Sequence, residues 1–234
     1  MIKLRNMLIA VIAITALSTS SFAGSIGFGV TGSMAIVEAA GSEQDGTLDT
    51  AEVNNKATAS NNASMGSIFA EYSFERFNGL TFGVDYLPGS ADVNSQNLKR
   101  TDQELSETGT SVAVTAAVSR TAQAEIENHL TYYAELPIHG GLYVKAGIAS
   151  MDVNTTETNK DNSAYGNTSV DGSLFGVGYK NDFGTRGYYK VEGTHTAYDT
   201  IKLTQTGAST GSVANTITAD LDVTKLTFGV GIRF

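Results

Sequence analysis

The last nine residues, Leu226 to Phe234, alternate without a break: Leu226, Phe228, Val230, Ile232 and Phe234 are apolar, and Thr227, Gly229, Gly231 and Arg233 between them are small or polar. A two-residue period puts one class of side chain on each face of a β-strand. One such strand suits many sheets, but the period returns along the chain. Ile26, Phe28, Val30, Met34 and Ile36 alternate with Gly27, Gly29, Thr31, Ser33 and Ala35, and Ile68, Ala70, Tyr72 and Phe74 with Phe69, Glu71, Ser73 and Glu75. Leu80, Phe82, Val84 and Tyr86 alternate with Thr81, Gly83 and Asp85. From Ala122 to Leu136 the period places Ala122, Ala124, Ile126, Leu130, Tyr132, Ala134 and Leu136 on one face. Gln123, Glu125, Glu127, His129, Thr131, Tyr133 and Glu135 then share the other. Leu142 to Ala149, Phe175 to Lys180 and Tyr188 to Thr196 repeat the pattern, so the chain is expected to form eight strands.

Composition agrees with strands. There are 25 glycines against 2 prolines, and the chain is 41% hydrophobic, too little for a bundle of membrane-spanning helices. Cysteine is absent, which removes disulfides, thiolate metal sites and cysteine nucleophiles together. Lys3 and Arg5 precede an apolar run from Met7 to Leu17 and a small-residue site at Ser21-Phe22-Ala23. These are the parts of a secretory signal peptide, expected over residues 1–23, with the barrel over 24–234. Cleavage moves the formal charge from -9 to -11, because Lys3 and Arg5 leave with the signal. An acidic chain with no cluster of Lys and Arg argues against nucleic-acid partners.

The connections alternate in length. Arg76 to Gly79, Pro137 to Gly141 and Asn181 to Arg186 are short, whereas Glu38 to Asn62, Pro88 to Ser111, Asn154 to Thr168 and Thr204 to Thr216 are long and polar. Short turns at one end and long loops at the other are expected of an eight-stranded antiparallel up-and-down transmembrane β-barrel, with periplasmic turns and extracellular loops. Aromatic residues near the short turns (Tyr72, Phe74, Phe82, Tyr132, Tyr179, Tyr189, Phe228, Phe234) read as an interfacial girdle. In a soluble calycin-like barrel the apolar face would instead point inward.

On these features the chain resembles the small eight-stranded outer-membrane barrels of Gram-negative bacteria, the OmpA transmembrane-domain, OmpX and opacity-protein type. The resemblance implies outer-membrane localisation, contact with outer-membrane lipids and lipopolysaccharide, and no shared catalytic chemistry. It also implies that Phe228, Val230, Ile232 and Phe234 form the terminal signal read by the barrel-assembly machinery. The peptidoglycan-binding domain of OmpA has no counterpart in this sequence.

A bore of eight strands is filled by its own side chains. Glu71, Asp85, Glu125, Glu135, Lys145, Lys190, Glu192, Lys225 and Arg233 are therefore expected to form a lumenal charge network, on a polar face that also carries Glu75, Glu127 and Lys180. Within it Lys145 is expected opposite Tyr133 with Glu135 one diagonal step away, and Lys190, Glu192, Lys225 and Arg233 are expected to gather between the last two strands. His129 reads as a hydrogen-bonded lumenal histidine, His139 lies in a short turn, and His195 projects with the lipid-facing set. No catalytic residue and no cofactor is assigned. The stretch from Gly41 to Glu52 has the spacing of a calcium loop, with Glu43, Asp45, Asp49 and Glu52 as ligands, but Gly41 stands where the anchoring Asp belongs. The expected function is a monomeric integral outer-membrane protein acting structurally or through its loops on an extracellular ligand. A narrow channel for ions or small solutes and a soluble secreted binding barrel are the alternatives.

Overall fold

The computed structural model describes residues 24–44, 54–92, 98–102, 105–108, 111–114, 118–122, 124–155, 165–206 and 214–234. The expected signal peptide lies outside them. Among the described residues, eight long strands close a ring: β1 (Gly24–Gln44), β2 (Asn54–Phe74), β3 (Leu80–Tyr86), β4 (Ala124–His139), β5 (Leu142–Thr155), β6 (Thr168–Phe183), β7 (Gly187–Tyr198) and β8 (Thr216–Arg233). Each pairs antiparallel with the next, and β8 returns to β1. The closing seam runs from Gly27↔Arg233 to Gln44↔Thr216. At its lower end Ile26 and Phe234 exchange backbone hydrogen bonds at 3.1 and 2.8 Å. No edge is left at this seam, as a wall standing in lipid requires.

The ladders fix the barrel's geometry. Starting at Ile36 and stepping through Thr224, His195, Phe175, Ala146, Ala134, Phe82 and Tyr72, the path returns to β1 at Ile26, ten residues lower. Eight strands with that stagger tilt by roughly 40°. The outward apolar residues of β1 begin at Ile26 and end at Ile36. Ten residues rising about 3.3 Å each at that tilt give a belt about 25 Å tall, the height of a lipid-facing band.

Above the belt the wall changes sides. On β1 the inward positions pass from Thr31 and Ser33 to Ala35, Val37 and Ala39, while the outward ones pass from Met34, 69% exposed, and Ile36 to Glu38. On β5 the inward Tyr143 and Lys145 give way to Ala149 and Met151, each 1% exposed, and the outward Val144 and Ile148 to Ser150 and Asp152. Val37, Ile126, Ala149, Met151, Val153, Val170, Tyr198, Ile201 and Leu221 form one apolar core there. The lower barrel is polar inside and apolar outside; the upper barrel is the reverse.

This inversion corrects several expectations from the sequence. Glu38 to Gln44 and Asn54 to Asn62 are not loop but the upper parts of β1 and β2, paired from Glu38↔Ser60 to Gln44↔Asn54. They stay in the sheet because Val37 and Ala39 face a core they help to build. In the second long connection Ser90–Asp92 pairs with β4, Leu98–Asp102 with Val118–Ala122, and Leu105–Thr108 with Ser111–Val114. Ile201–Thr204 pairs with the start of β8. The single face read for Ala122 to Leu136 is broken at Asn128, whose φ of 53° marks a bulge. The β5 partners step from Ser150↔Leu130 to Asp152↔Glu127, so β4 has one extra residue there. Ile126 is consequently buried inside, and Glu125 and Glu127 alternate to the outer face.

Candidate functional site

The lower bore is closed by a layer of charge. Glu71 from β2, Glu135 from β4, Lys145 from β5, Lys180 from β6, and Lys190 and Glu192 from β7 point inward and meet one another. Lys145 donates to both oxygens of Glu192, at 3.0 and 2.9 Å. Lys180 donates to Glu71 Oε1 at 2.8 Å and to Glu135 Oε2 at 2.6 Å. Lys190, 0% exposed, lies 3.4 Å from Glu192 and 3.7 Å from both Glu71 and Glu135. Three lysines thus meet three glutamates, each lysine within reach of at least two acids. A buried layer of this kind persists only when its charges balance and its polar atoms find partners.

Tyrosines complete the layer. Tyr143 donates to Glu192 at 2.6 Å and Tyr133 to Glu71 at 3.3 Å. The Lys145 ammonium stands 3.7 Å from the centre of the Tyr133 ring, and that of Lys190 stands 4.0 Å from the centre of Phe69. Each lumenal tyrosine covers a glycine on the adjacent strand. A Cβ at Gly83 would lie 2.3 Å from Tyr133, one at Gly178 2.4 Å from Tyr143, and one at Gly231 2.5 Å from Tyr188. Glycine recurs on the polar face because a ring needs the space a side chain would take.

The residues named from the sequence part company here. Glu71, Glu135, Lys145, Lys190 and Glu192 come together. Lys145 sits directly opposite Glu135, not Tyr133, because β4 continues to His139 and the hairpin turns on Gly140 and Gly141 alone, with φ of 58° and 89°. The register then slips between Leu142↔His139 and Tyr143↔Pro137. The cluster expected between the last two strands divides: Lys190 and Glu192 join the central layer, Lys225 faces inward higher up beside Ala35, and Arg233 bonds Asp182 at 3.0 Å near the lower rim. Asp85 accepts from Ser67 at 2.7 Å, and Ser67 in turn meets Thr31. Glu125 is not in the bore, since the bulge at Asn128 turns it outward. Lys180, read only as a member of the polar face, bridges two glutamates. Tyr143 and Tyr188 went unread as lumenal partners, and Gly178 and Gly231 beside them were the available signal.

Glu43 is buried in β1, where it meets Tyr165 and Asn215, so it is not a ligand in an exposed calcium loop. Asp45, Asp49 and Glu52 lie outside the described residues, among which no group of three His, Asp or Glu side chains is placed to hold a metal ion. His129 Nε2 lies 2.8 Å from the Tyr198 hydroxyl. His195 is on the outer wall at the top of the belt, with Nδ1 3.1 Å from Thr224 Oγ1 and Nε2 3.8 Å from Asp222. The second distance is too long for a hydrogen bond, so the set lacks an oriented base. His139 is exposed beside its turn.

The outer wall decides the environment. Phe175 is 65% exposed and Leu226 60%, within an apolar belt shared by all eight strands, while the charges lie in the bore. An apolar exterior this tall belongs in lipid. The chain is a transmembrane β-barrel of the outer-membrane type. Its polarity excludes the soluble secreted barrel, whose grease would fill the inside.

No family model and no curated protein matches the chain. Among solved structures it is similar to the outer membrane protein OprG from Pseudomonas aeruginosa, at 12% identity and a TM-score of 0.48, over 91% of this chain and 97% of that one. It is also similar to the outer membrane protease OmpT from Escherichia coli, at 9% identity and a TM-score of 0.43, over 93% and 99%. Neisserial surface protein A is similar at 13% identity and a TM-score of 0.34, over 86% and 97%. The barrel's own strand order, stagger and polarity carry the assignment of fold.

Proposed function

We propose that the protein is a closed outer-membrane barrel that holds its extracellular end rigidly for structural or surface contact, without catalysis. The observation that carries this reading is the double closure of the bore. The ion-paired layer of Glu71, Glu135, Lys145, Lys180, Lys190 and Glu192 fills it within the lipid-facing belt, and the apolar core around Met151 and Leu221 fills it above. An ion crossing the first layer would have to displace balanced partners, and crossing the second it would meet core side chains that are apolar except for the Tyr198 hydroxyl, which His129 already engages. Lipid and lipopolysaccharide are the partners this wall would meet. The strand with Phe228, Val230, Ile232 and Phe234 is offered as the assembly signal, and the extracellular end as the contact surface of a monomer.

Planar-bilayer recording of the refolded protein tests the closure. The expected result is a silent bilayer. A stable unitary conductance would return the protein to the narrow-channel alternative.

A further inference from the structure

Beneath the charged layer the bore opens into a blind cavity of about 350 Å³ at the end carrying the short turns. Its roof is Glu135, Lys180 and Tyr143, so a solute entering from below stops there. That volume lies in the range of small-molecule sites. The lining carries both signs of charge at separate places. Lys180 rises from β6, across the ring from β2 and from Glu75 just after it, and Arg233 on β8 leans toward β6, where it meets Asp182. Between them Ser73 and Thr81 present hydroxyls, hydrogen-bonded to each other at 2.8 Å.

Among the described residues, donors are left over on the cationic side. Lys180 gives hydrogen bonds to Glu71 and Glu135, and an ammonium carries three donors. Arg233 meets Asp182 through one terminal nitrogen, and a guanidinium carries five N–H groups. Eight strands about 4.8 Å apart at this tilt make a backbone cylinder about 16 Å across, which inward side chains narrow to a clear span on the order of 8 Å. A solute with a carboxylate at one end and an ammonium at the other, separated by that span, would meet both walls. A chain of two or three residues extends about 7 to 10 Å.

We infer that this cavity binds a short zwitterionic peptide of two or three small residues. Its C-terminal carboxylate lies toward Arg233 and Lys180, and its N-terminal ammonium toward Glu75. The site faces the compartment beneath the membrane and is closed to the outside, so it serves as a receptor pocket and not as a step in passage across the wall.

Calorimetric titration of tri-alanine into the refolded protein tests this, with N-acetyl-tri-alanine and tri-alanine amide as probes that each lack one terminal charge. Tri-alanine is expected to bind saturably, and each capped peptide at least about 10-fold more weakly, the loss of one charge-assisted contact. Glu75→Gln is expected to weaken tri-alanine while leaving the N-acetyl peptide unchanged. Arg233→Gln is expected to weaken tri-alanine while leaving the amide unchanged. Both substitutions are at the rim, outside the central layer, and heat-dependent gel mobility reports whether each variant has folded. The capped peptides put the same question to the unaltered protein. Absence of saturable binding, or capped peptides binding as tightly as tri-alanine, overturns the inference. Neither result bears on conductance, so this test and the bilayer recording stand or fall apart.

Discussion

Lys190 is the residue on which the lumenal layer turns. It is fully buried, and its ammonium is shared by three carboxylates at 3.4 to 3.7 Å. Replacing it with methionine keeps most of the packing but leaves three acids facing two lysines. Breaking a buried charge set in this way costs about 3 to 5 kcal/mol. Urea unfolding of refolded Lys190→Met in lipid vesicles is expected to show that loss, and an unchanged midpoint would mean that the layer does not depend on its central cation. The glycines supply a second prediction at this scale. Gly83→Ala drives a methyl into the Tyr133 ring, 2.3 Å from the new Cβ, and is expected to cost about 1 to 3 kcal/mol. Gly193→Ala, where nothing lies within 4 Å of the added atom, is the matched control and is expected to be nearly neutral.

Among the strands, β4 shows how one residue sets the sidedness of a whole segment. The extra residue at Asn128 lets Leu130 and Tyr132 face lipid below while Ile126 faces the core above. Asn128→Val would oppose the left-handed φ that the bulge needs, and without the bulge the strict two-residue period of the full-length strand turns Ile126 outward and Glu125 and Glu127 inward against Met151 and Val153. The expected result is a barrel that still inserts but whose upper part is cleaved by protease added outside intact cells. Resistance equal to the unaltered protein would show that the bulge is incidental. The length of β1 and β2 belongs to the same logic. Their polar outer faces at Glu38, Ser42, Ser60 and Asn62 resemble loop in composition, but the inward partners Val37, Ala39 and Ala63 keep them in the sheet.

Taken whole, the molecule is two barrels of opposite polarity stacked end to end, and the height of the join is a prediction. The chain has no cysteine, so single labels can be placed without background. A fluorophore at Met34→Cys is expected to be quenched by nitroxides on lipid tails, and one at Glu38→Cys is expected to escape them and to be reached by aqueous iodide. Equal quenching at both positions would remove the boundary on which the fold's division rests.

The two-residue period determined much of this by itself. Apolar positions from Ile26 to Ile36 and from Leu226 to Phe234, opposed by glycine and polar residues, fix strand character, sidedness and the short hairpin ends, because each is set by neighbours one or two residues away. Glu71, Glu135, Lys145, Lys190 and Glu192 could be assigned to the bore on that ground alone. Closure of the ring decided the rest. Which lysine meets which glutamate depends on a stagger of ten residues accumulated around eight strands, and on a slip at Tyr143 that no local pattern announces. The reversal above Ile36 was equally out of reach, because a small polar strand looks like loop until Val37, Met151, Val170 and Leu221 arrive from different strands to bury one another. Local alternation separates the two faces of a strand; only the closed cylinder, with lipid at one height and water at the next, says where along the strand those faces exchange surroundings.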